Sequence, residues 1–461
     1  MNNLNFLVDV LKESPVFKTL EKNVKPGRTV CASGLSTINK SNIIYALCRL
    51  KGVTAFCLAS DEKEAQTLCN DLSCMGLRAY VYPVRDFNFL DFQSRSHEYE
   101  HARLKVLLKL LNHECDVAIA CVDAAAQLTV PRNVLEQSVI EFEEGRELSL
   151  EKATKALTLL FYERFDAVEG SGQFSLRGGI LDFFMPDSDY PVRCEFWGDE
   201  ITDLSYFDIE TQRRFKKADK ITLSPSTEIV IEDRAALADK IEHKAKLLRS
   251  KNSAKAKEKL FSEAELIRSG AMIANADKFI NQIYDKPESL FDYLDRNTLV
   301  FASEFTAIQE RGKSMDFISN ETLMQGFEDG TLCRGFDRFA LTFNECTEFL
   351  QSHGTIVLEN FVHGSMPIKL SEIISFSTKQ LSAWGGSYKQ LKEDVDGLFT
   401  PESKGVIFAG TERAAKNLCD TFNADGINAV YSEGADKISK GELLVMQGAL
   451  SAGFEYPSQK F

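Results

Sequence analysis

Four short runs between residues 28 and 122 are apolar without polar alternation: "RTVCAS", "VTAFCLA", "RAYVYP" and "DVAIACV". A strand that is apolar on both faces must be covered on both, which places it in a mostly parallel sheet flanked by helices. The intervening segments supply those helices. "KSNIIYALCRL" follows the first strand. After the second, Asp61 stands as an N-cap with Glu64 three residues on, a capping box. That helix brings Ala65, Leu68, Cys69 and Leu72 to one face before Gly76 stops it. "HARLKVLLKLL" does the same with Leu104, Leu107, Leu108 and Leu111. Strand and helix alternating at this interval make an α/β fold.

The texture then changes. After a helix with Ala153, Ala156, Leu157 and Leu160 on its apolar face, "QFSLR", "ILDFF", "VRCEFW" and "ITDLSYFD" alternate residue by residue. They are punctuated by Gly-Gly and Gly-Asp, as an antiparallel meander requires. From about residue 218 the chain turns helical and charged ("RSKNSAKAKEKLFSEAEL"), and "TLVFASE" is a further strand. A final unit begins near 348. There "FAGTERAAKNLCDTF" repeats the order of "LASDEKEAQTLCNDL", a strand end and a capped helix, with Gly426 in the place of Gly76. With 461 residues, about three or four domains are expected. The reading is a first lobe segment at 1–126, an inserted α+β domain at 127–217, the rest of the lobe at 218–347 and a small α/β domain at 348–461.

"GLSTINKS", residues 34–41, falls one residue short of the phosphate-binding pattern G-x-x-x-x-G-K-[ST]. Gly34, Lys40 and Ser41 are in place between a strand and a helix, but Asn39 replaces the second glycine. Glycine there lets the backbone approach a phosphate, and an Asn side chain fills that space. The strand-end carboxylate that would hold Mg²⁺ is also missing: "VAIACVD" reaches Asp123 two residues late, and "LVFASE" has Ser303 at the position. The loop therefore reads as a degenerate site.

The formal net charge of −14 opposes binding of nucleic acid over the whole surface. Eleven cysteines without C-x-x-C spacing read as buried thiols in a reducing cytoplasm rather than disulfides or a metal site; Cys57, Cys69 and Cys74 are assigned to packing. No run is long and apolar enough to span a bilayer. The densest cations lie on the meander, at Arg164, Arg177, Arg193, Arg213, Arg214, Lys216 and Lys217. Its alternation sends Phe174, Leu181, Val192, Cys194 and Phe196 inward and Arg177, Arg193, Glu195 and Trp197 outward. By pattern alone the favoured reading of this face is a solvated one with cross-strand ion pairs.

Three stretches here, "GQFSLRGGILDFF", "RCEFWGDEI" and "FDIETQR", closely resemble the UvrB-homology region of bacterial transcription-repair coupling factors. "YPVRDFNFLDFQSRSHEYEHARLKVLLKLL" is similar to that family's first lobe, and "GVIFAGTERAAKNLCDTFNADGI" with "GALSAGFEYP" to its third domain. The resemblance implies a P-loop NTPase-like lobe that has lost its nucleotide, an insert that docks the damage sensor UvrA, and a small α/β domain. It implies no cofactor in this region, ATP and Mg²⁺ belonging to the family's DNA-translocating motor, through which RNA polymerase and DNA are reached. The chain accordingly reads as the leading, non-enzymatic part of a longer cytoplasmic protein, a monomer that acts as an adapter. UvrB itself has an intact phosphate loop and a DNA-clamping hairpin, where this chain has the short "VRDFNFLDFQSRSHEYEH". Carried over residue by residue, the UvrA contacts are Arg164 of "YER", Arg177 of "LRGG", Phe183 or Phe184 of "ILDFF", and Arg193 with Glu195 of "VRCEF". The competing readings are a residual ATP- or DNA-binding lobe and a scaffold that only packs on its own motor.

Overall fold

A computed structural model describes residues 4–85, 97–248, 253–270, 276–362, 366–381 and 384–461. The segment compared with the UvrB hairpin lies largely outside the described residues, at 86–96. The first lobe supplies strands β1 (Val30–Ser33), β2 (Ala55–Ala59), β3 (Ala79–Val81) and β4 (Val117–Cys121). The insert holds β5 (Ile140–Glu143), β6 (Glu163–Arg164), β7 (Gln173–Arg177), β8 (Ile180–Phe183), β9 (Val192–Trp197), β10 (Glu200–Phe207), β11 (Arg214–Lys217) and β12 (Lys220–Leu223). The chain returns with β13 (Leu299–Ser303), β14 (Thr355–Leu358) and β15 (Glu372–Ser375). It ends with β16 (Lys379–Leu381), β17 (Gly405–Ala409), β18 (Ala429–Tyr431), β19 (Leu443–Gln447) and β20 (Gly453–Glu455).

The large sheet has the order β15-β1-β14-β13-β2-β4-β3, and every pairing in it is parallel. Its central strands are buried on both faces, as their unbroken apolar runs require. Ala55, Cys57 and Ala59 of β2 face one core, with the helices Asn5–Glu13, Thr37–Lys51 and Glu62–Cys74. Phe56 and Leu58 face the other, with the helix Glu98–Leu111. The expected N-cap at Asp61 is present, Glu64 N–H donating to Asp61 Oδ1 at 2.8 Å, but the Glu64 carboxylate turns to the Ser60 N–H instead of closing the box.

Three boundaries differ from the sequence reading. β14 and β15 complete the large sheet, so the small domain does not start at 348. Periodicity identifies an extended segment but not which sheet it joins. The insert likewise runs past 217, because β12 pairs antiparallel with β5 and sends Ile221 and Leu223 into the insert core. At its other end Leu128, Val130 and Leu135 pack in the lobe.

The internal resemblance extends to topology. Strand 55–59, helix 62–74 and strand 79–81 recur as strand 405–409, helix 412–424 and strand 429–431 at identical spacing. The order β2-β4-β3 recurs as β17-β19-β18, all parallel. Even the thiol contacts match: Cys69 donates to the Ala79 carbonyl at 3.4 Å and Cys419 to the Ala429 carbonyl at 3.2 Å. Gly76 and Gly426 both close their helices at positive φ, a conformation other residues resist. One face of the small sheet is covered by the helix Glu412–Ala424, while Leu444 and Met446 on the other join the lobe's own core. All eleven cysteines are free thiols. No described helix is long and apolar enough to cross a membrane, and no group of described residues is placed to hold a metal ion.

Candidate functional site

The insert's six-stranded sheet has the order β11-β10-β9-β8-β7-β6. Its inner face, Phe174, Leu181, Phe183, Val192, Cys194 and Leu204, packs on Ala153 and Leu157 of the helix Leu150–Leu159. The outer face is a ladder of charge. Cross-strand register places Ser175, Asp182, Arg193 and Ser205 side by side, with Glu195 beside Asp203.

Asp182 is the centre of that ladder. It is 1% exposed, and its two oxygens accept from Arg193 Nε at 2.7 Å and Arg193 Nη2 at 2.8 Å. The Arg177 Nη2 adds a third bond at 2.7 Å. Arg193 also reaches Gln212 and lies over the Phe207 ring, 4.4 Å from its centroid. Arg193 thus sits outward, as alternation requires, but its guanidinium is fully engaged inside the insert. Arg177 keeps half of its side chain exposed. Glu195 pairs with Arg214, which also bonds Asp203 at 3.1 Å.

Of the two candidate phenylalanines, Phe183 is fully buried in the core, so the expectation that it could reach a partner is corrected. Phe184, the next residue, is half-buried. Arg164 is exposed and has no ion pair among the described residues. It occupies the ladder level of Phe174, an inward position, whereas Arg177 belongs to the outward set. The two arginines therefore flank one edge of the sheet from opposite faces. Phe165, 44% exposed, follows Arg164 at that edge. Sequence reading passed over Asp182; its trace was a lone carboxylate in an apolar strand between two arginine-bearing neighbours.

The phosphate-loop counterpart lies at the end of β1. Gly34 takes φ +78°, and a Cβ there would strike the Phe376 carbonyl. The loop N–H groups of Gly34 and Leu35 donate to the Asn360 and Glu359 carbonyls, both at 3.1 Å. Asn39 is buried and accepts from Ser36 Oγ at 2.6 Å. Lys40, only 2% exposed, donates to Glu304 Oε1 at 2.5 Å, Ser303 Oγ at 3.0 Å and Glu64 Oε1 at 3.5 Å. Burial alone would raise Glu304, but the Lys40 ammonium, with the Asn360 N–H and the Glu359 side chain, holds the carboxyl below its usual range. Ser41 Oγ donates to Asp71 at 3.3 Å, and Asp71 also accepts the Ser451 N–H and hydroxyl, each at 2.8 Å. Tyr456, buried, accepts from Asn42 Nδ2 at 3.1 Å, so residues 451–456 strap the start of the helix. Asp123, the late carboxylate of β4, is held by Arg311 at 2.6 and 2.7 Å. A groove of about 400 Å³ remains beside the loop, lined by Asp61 and Glu64, with Lys63 its one cation among the described residues. This geometry neutralises the lysine internally and presents carboxylates where a triphosphate would need donors.

The UvrB interaction domain family matches residues 140–229, the segment that the β5–β12 pairing closes. The transcription-repair-coupling factor of Bacillus subtilis is 26% identical over 98% of this chain and 39% of its own length. That of Staphylococcus epidermidis is 25% identical over 82% of this chain and 32% of its own, and that of Staphylococcus aureus 22% identical over 98% and 39%. The chain thus spans about two-fifths of the length of the curated relatives it matches. It is homologous to the transcription-repair-coupling factors along nearly its whole length and carries a UvrB interaction domain at residues 140–229.

Proposed function

We propose that this chain is an adapter that recruits the damage sensor UvrA through its insert, within a longer protein that reaches stalled RNA polymerase and DNA through an ATP-driven motor. The observation that carries the reading is a UvrB interaction domain whose sheet edge bears an exposed Arg164, without an ion pair among the described residues, and from the opposite face a half-exposed Arg177. Arginine forms planar bidentate contacts with carboxylates, and with exposed aromatic surface it is a common interface anchor. Phe165 at that edge and the half-buried Phe184 at the end of β8 supply that surface. Arg193 and Glu195, held by Asp182 and Arg214, shape the face rather than reach across it.

Titrating the chain with UvrA tests the reading. Replacing Arg164 and Arg177 together by Ala is expected to weaken binding by about 2–5 kcal/mol, the range for desolvated interface charges. Affinity unchanged in the double variant removes these residues from the interface, and no binding by the unaltered chain removes the adapter reading. The lobe itself we read as a P-loop NTPase-like domain that holds no ATP or Mg²⁺, because Lys40 already carries two carboxylates. Equilibrium dialysis against ATP is accordingly expected to show no saturable binding that Lys40→Ala abolishes; such binding would favour a residual nucleotide-binding lobe.

A further inference from the structure

The carboxyl ends of β13 and β14 meet the phosphate-loop helix in a buried cluster whose charges do not balance. Glu64, Glu304 and Glu359 surround one ammonium, that of Lys40. The other titratable groups packed against them are the Cys31 thiol on β1 and the Cys57 thiol on β2, both kept neutral by burial. Glu359 is fully buried. Its Oε1 accepts the Phe305 N–H at 2.8 Å, while its Oε2 is buried without a hydrogen-bond partner among the described residues. The side chain facing Glu359 is the Glu304 carboxyl, which already accepts from Lys40 and the Asn360 N–H. With both ionised, acceptor would face acceptor at net charge −2 for the cluster, and buried charge of that kind is costly. One proton between them turns the repulsion into a hydrogen bond.

We propose that Glu304 and Glu359 share a proton at neutral pH and that this proton is part of the lock that keeps the phosphate-loop site shut. The mechanical link is Glu359 itself. Its carbonyl holds the Leu35 N–H of the loop, and its side chain holds Phe305, the first residue of the helix Phe305–Asp329. Glu304, between them, is held at φ +56°, a strained position for a non-glycine residue. Losing the proton repels the two carboxyls and loosens both attachments.

The direction with pH follows. Burial pushes the Glu359 carboxyl up to about 7; Glu304 pushes the same way, while the Phe305 N–H and Lys40 oppose it. A group raised by folding stabilises fully below its unfolded value and loses that contribution as pH rises through its folded one. Between pH 6 and 8 the full chain is therefore expected to lose about tenfold in its folding equilibrium constant through this group. Glu359→Gln keeps the shape, still accepts from Phe305 and donates to Glu304 without a titrating proton. Urea unfolding of both proteins at the two pH values is expected to show that loss only in the unaltered chain, and parallel behaviour overturns the proposal. Infrared difference spectra of the unaltered chain provide a check independent of the variant's folding. A protonated-carboxyl band at pH 6 that fades by pH 8 supports the shared proton, and no such band at pH 6 overturns it.

Discussion

Replacing Arg103 by Ala is expected to destabilise the chain by about 3–5 kcal/mol, the cost of breaking a buried ion pair from one side. Arg85, 3.9 Å from Glu228, is too far away to replace the lost hydrogen bonds. Arg103 and Glu228 are both fully buried. Arg103 Nε and Nη2 donate to the two oxygens of Glu228 at 2.6 and 3.2 Å, and Nη1 donates to the Pro83 carbonyl and to Gln127. The guanidinium lies 4.1 Å from the centroid of the Tyr82 ring, and Thr129 gives Glu228 a further bond at 2.7 Å. Arg103 belongs to the lobe helix Glu98–Leu111, and Glu228 follows the last strand of the insert, so the pair clamps one to the other. Equilibrium urea unfolding measures the cost. A Lys at 103 would lose the forked geometry, so Arg103→Lys should fall between the two. Pairing Arg103→Met with Glu228→Gln separates charge from packing: the double variant should recover part of the single loss, because no unpaired carboxylate is left. A loss below about 1 kcal/mol for Arg103→Ala would mean that water or Arg85 compensates Glu228 and the clamp is weak.

Asp182→Asn is the second large effect, about 3 kcal/mol at the low end of the same range. The substitution keeps the shape but removes the charge that two arginines share. Nearly all of the cost comes from Arg193, which is 13% exposed and left stacked on Phe207 without a counter-ion. Arg177 is half exposed and can turn to water, so Arg177→Ala alone should cost less than about 1 kcal/mol. The contrast bears on function. If Arg177 serves a partner, its removal should leave the insert's melting unchanged and weaken UvrA binding, whereas Asp182→Asn should lower the melting temperature first. Calorimetry of the two variants beside a UvrA titration distinguishes the roles. Equal destabilisation by both would make Arg177 a structural residue.

Much of the fold is legible in particular stretches. "VTAFCLA" and "DVAIACV" have no polar face, so they belong inside a two-sided sheet, and β2 and β4 are there. The alternation in "QFSLR" and "VRCEFW" assigns Phe174, Cys194 and Phe196 to the core, and they fill it. The repeat seen in one pair of segments extends to three strands, because strand order follows from the same helix crossing on the same side. At the candidate docking face the arginines were visible as residue types, but not which of them were already engaged. Arg193 and Arg177 look alike in sequence and both bond Asp182; burial separates them, Arg193 lying over Phe207 while half of Arg177 stays exposed.

What this sequence determined alone is local: the periods of its strands and helices, its caps and turns, and the loss of a glycine at Asn39. These depend on neighbours within a few residues, where side-chain pattern and backbone preference act directly. Tertiary structure alone decided the fate of each charge and the membership of each strand. Lys40 meets Glu64 and Glu304, β14 and β15 cross a long interval to join β1, and Tyr456 closes over Asn42. Electrostatic pairing and sheet register depend on distance in space, and no periodicity along the chain encodes which remote segments come together.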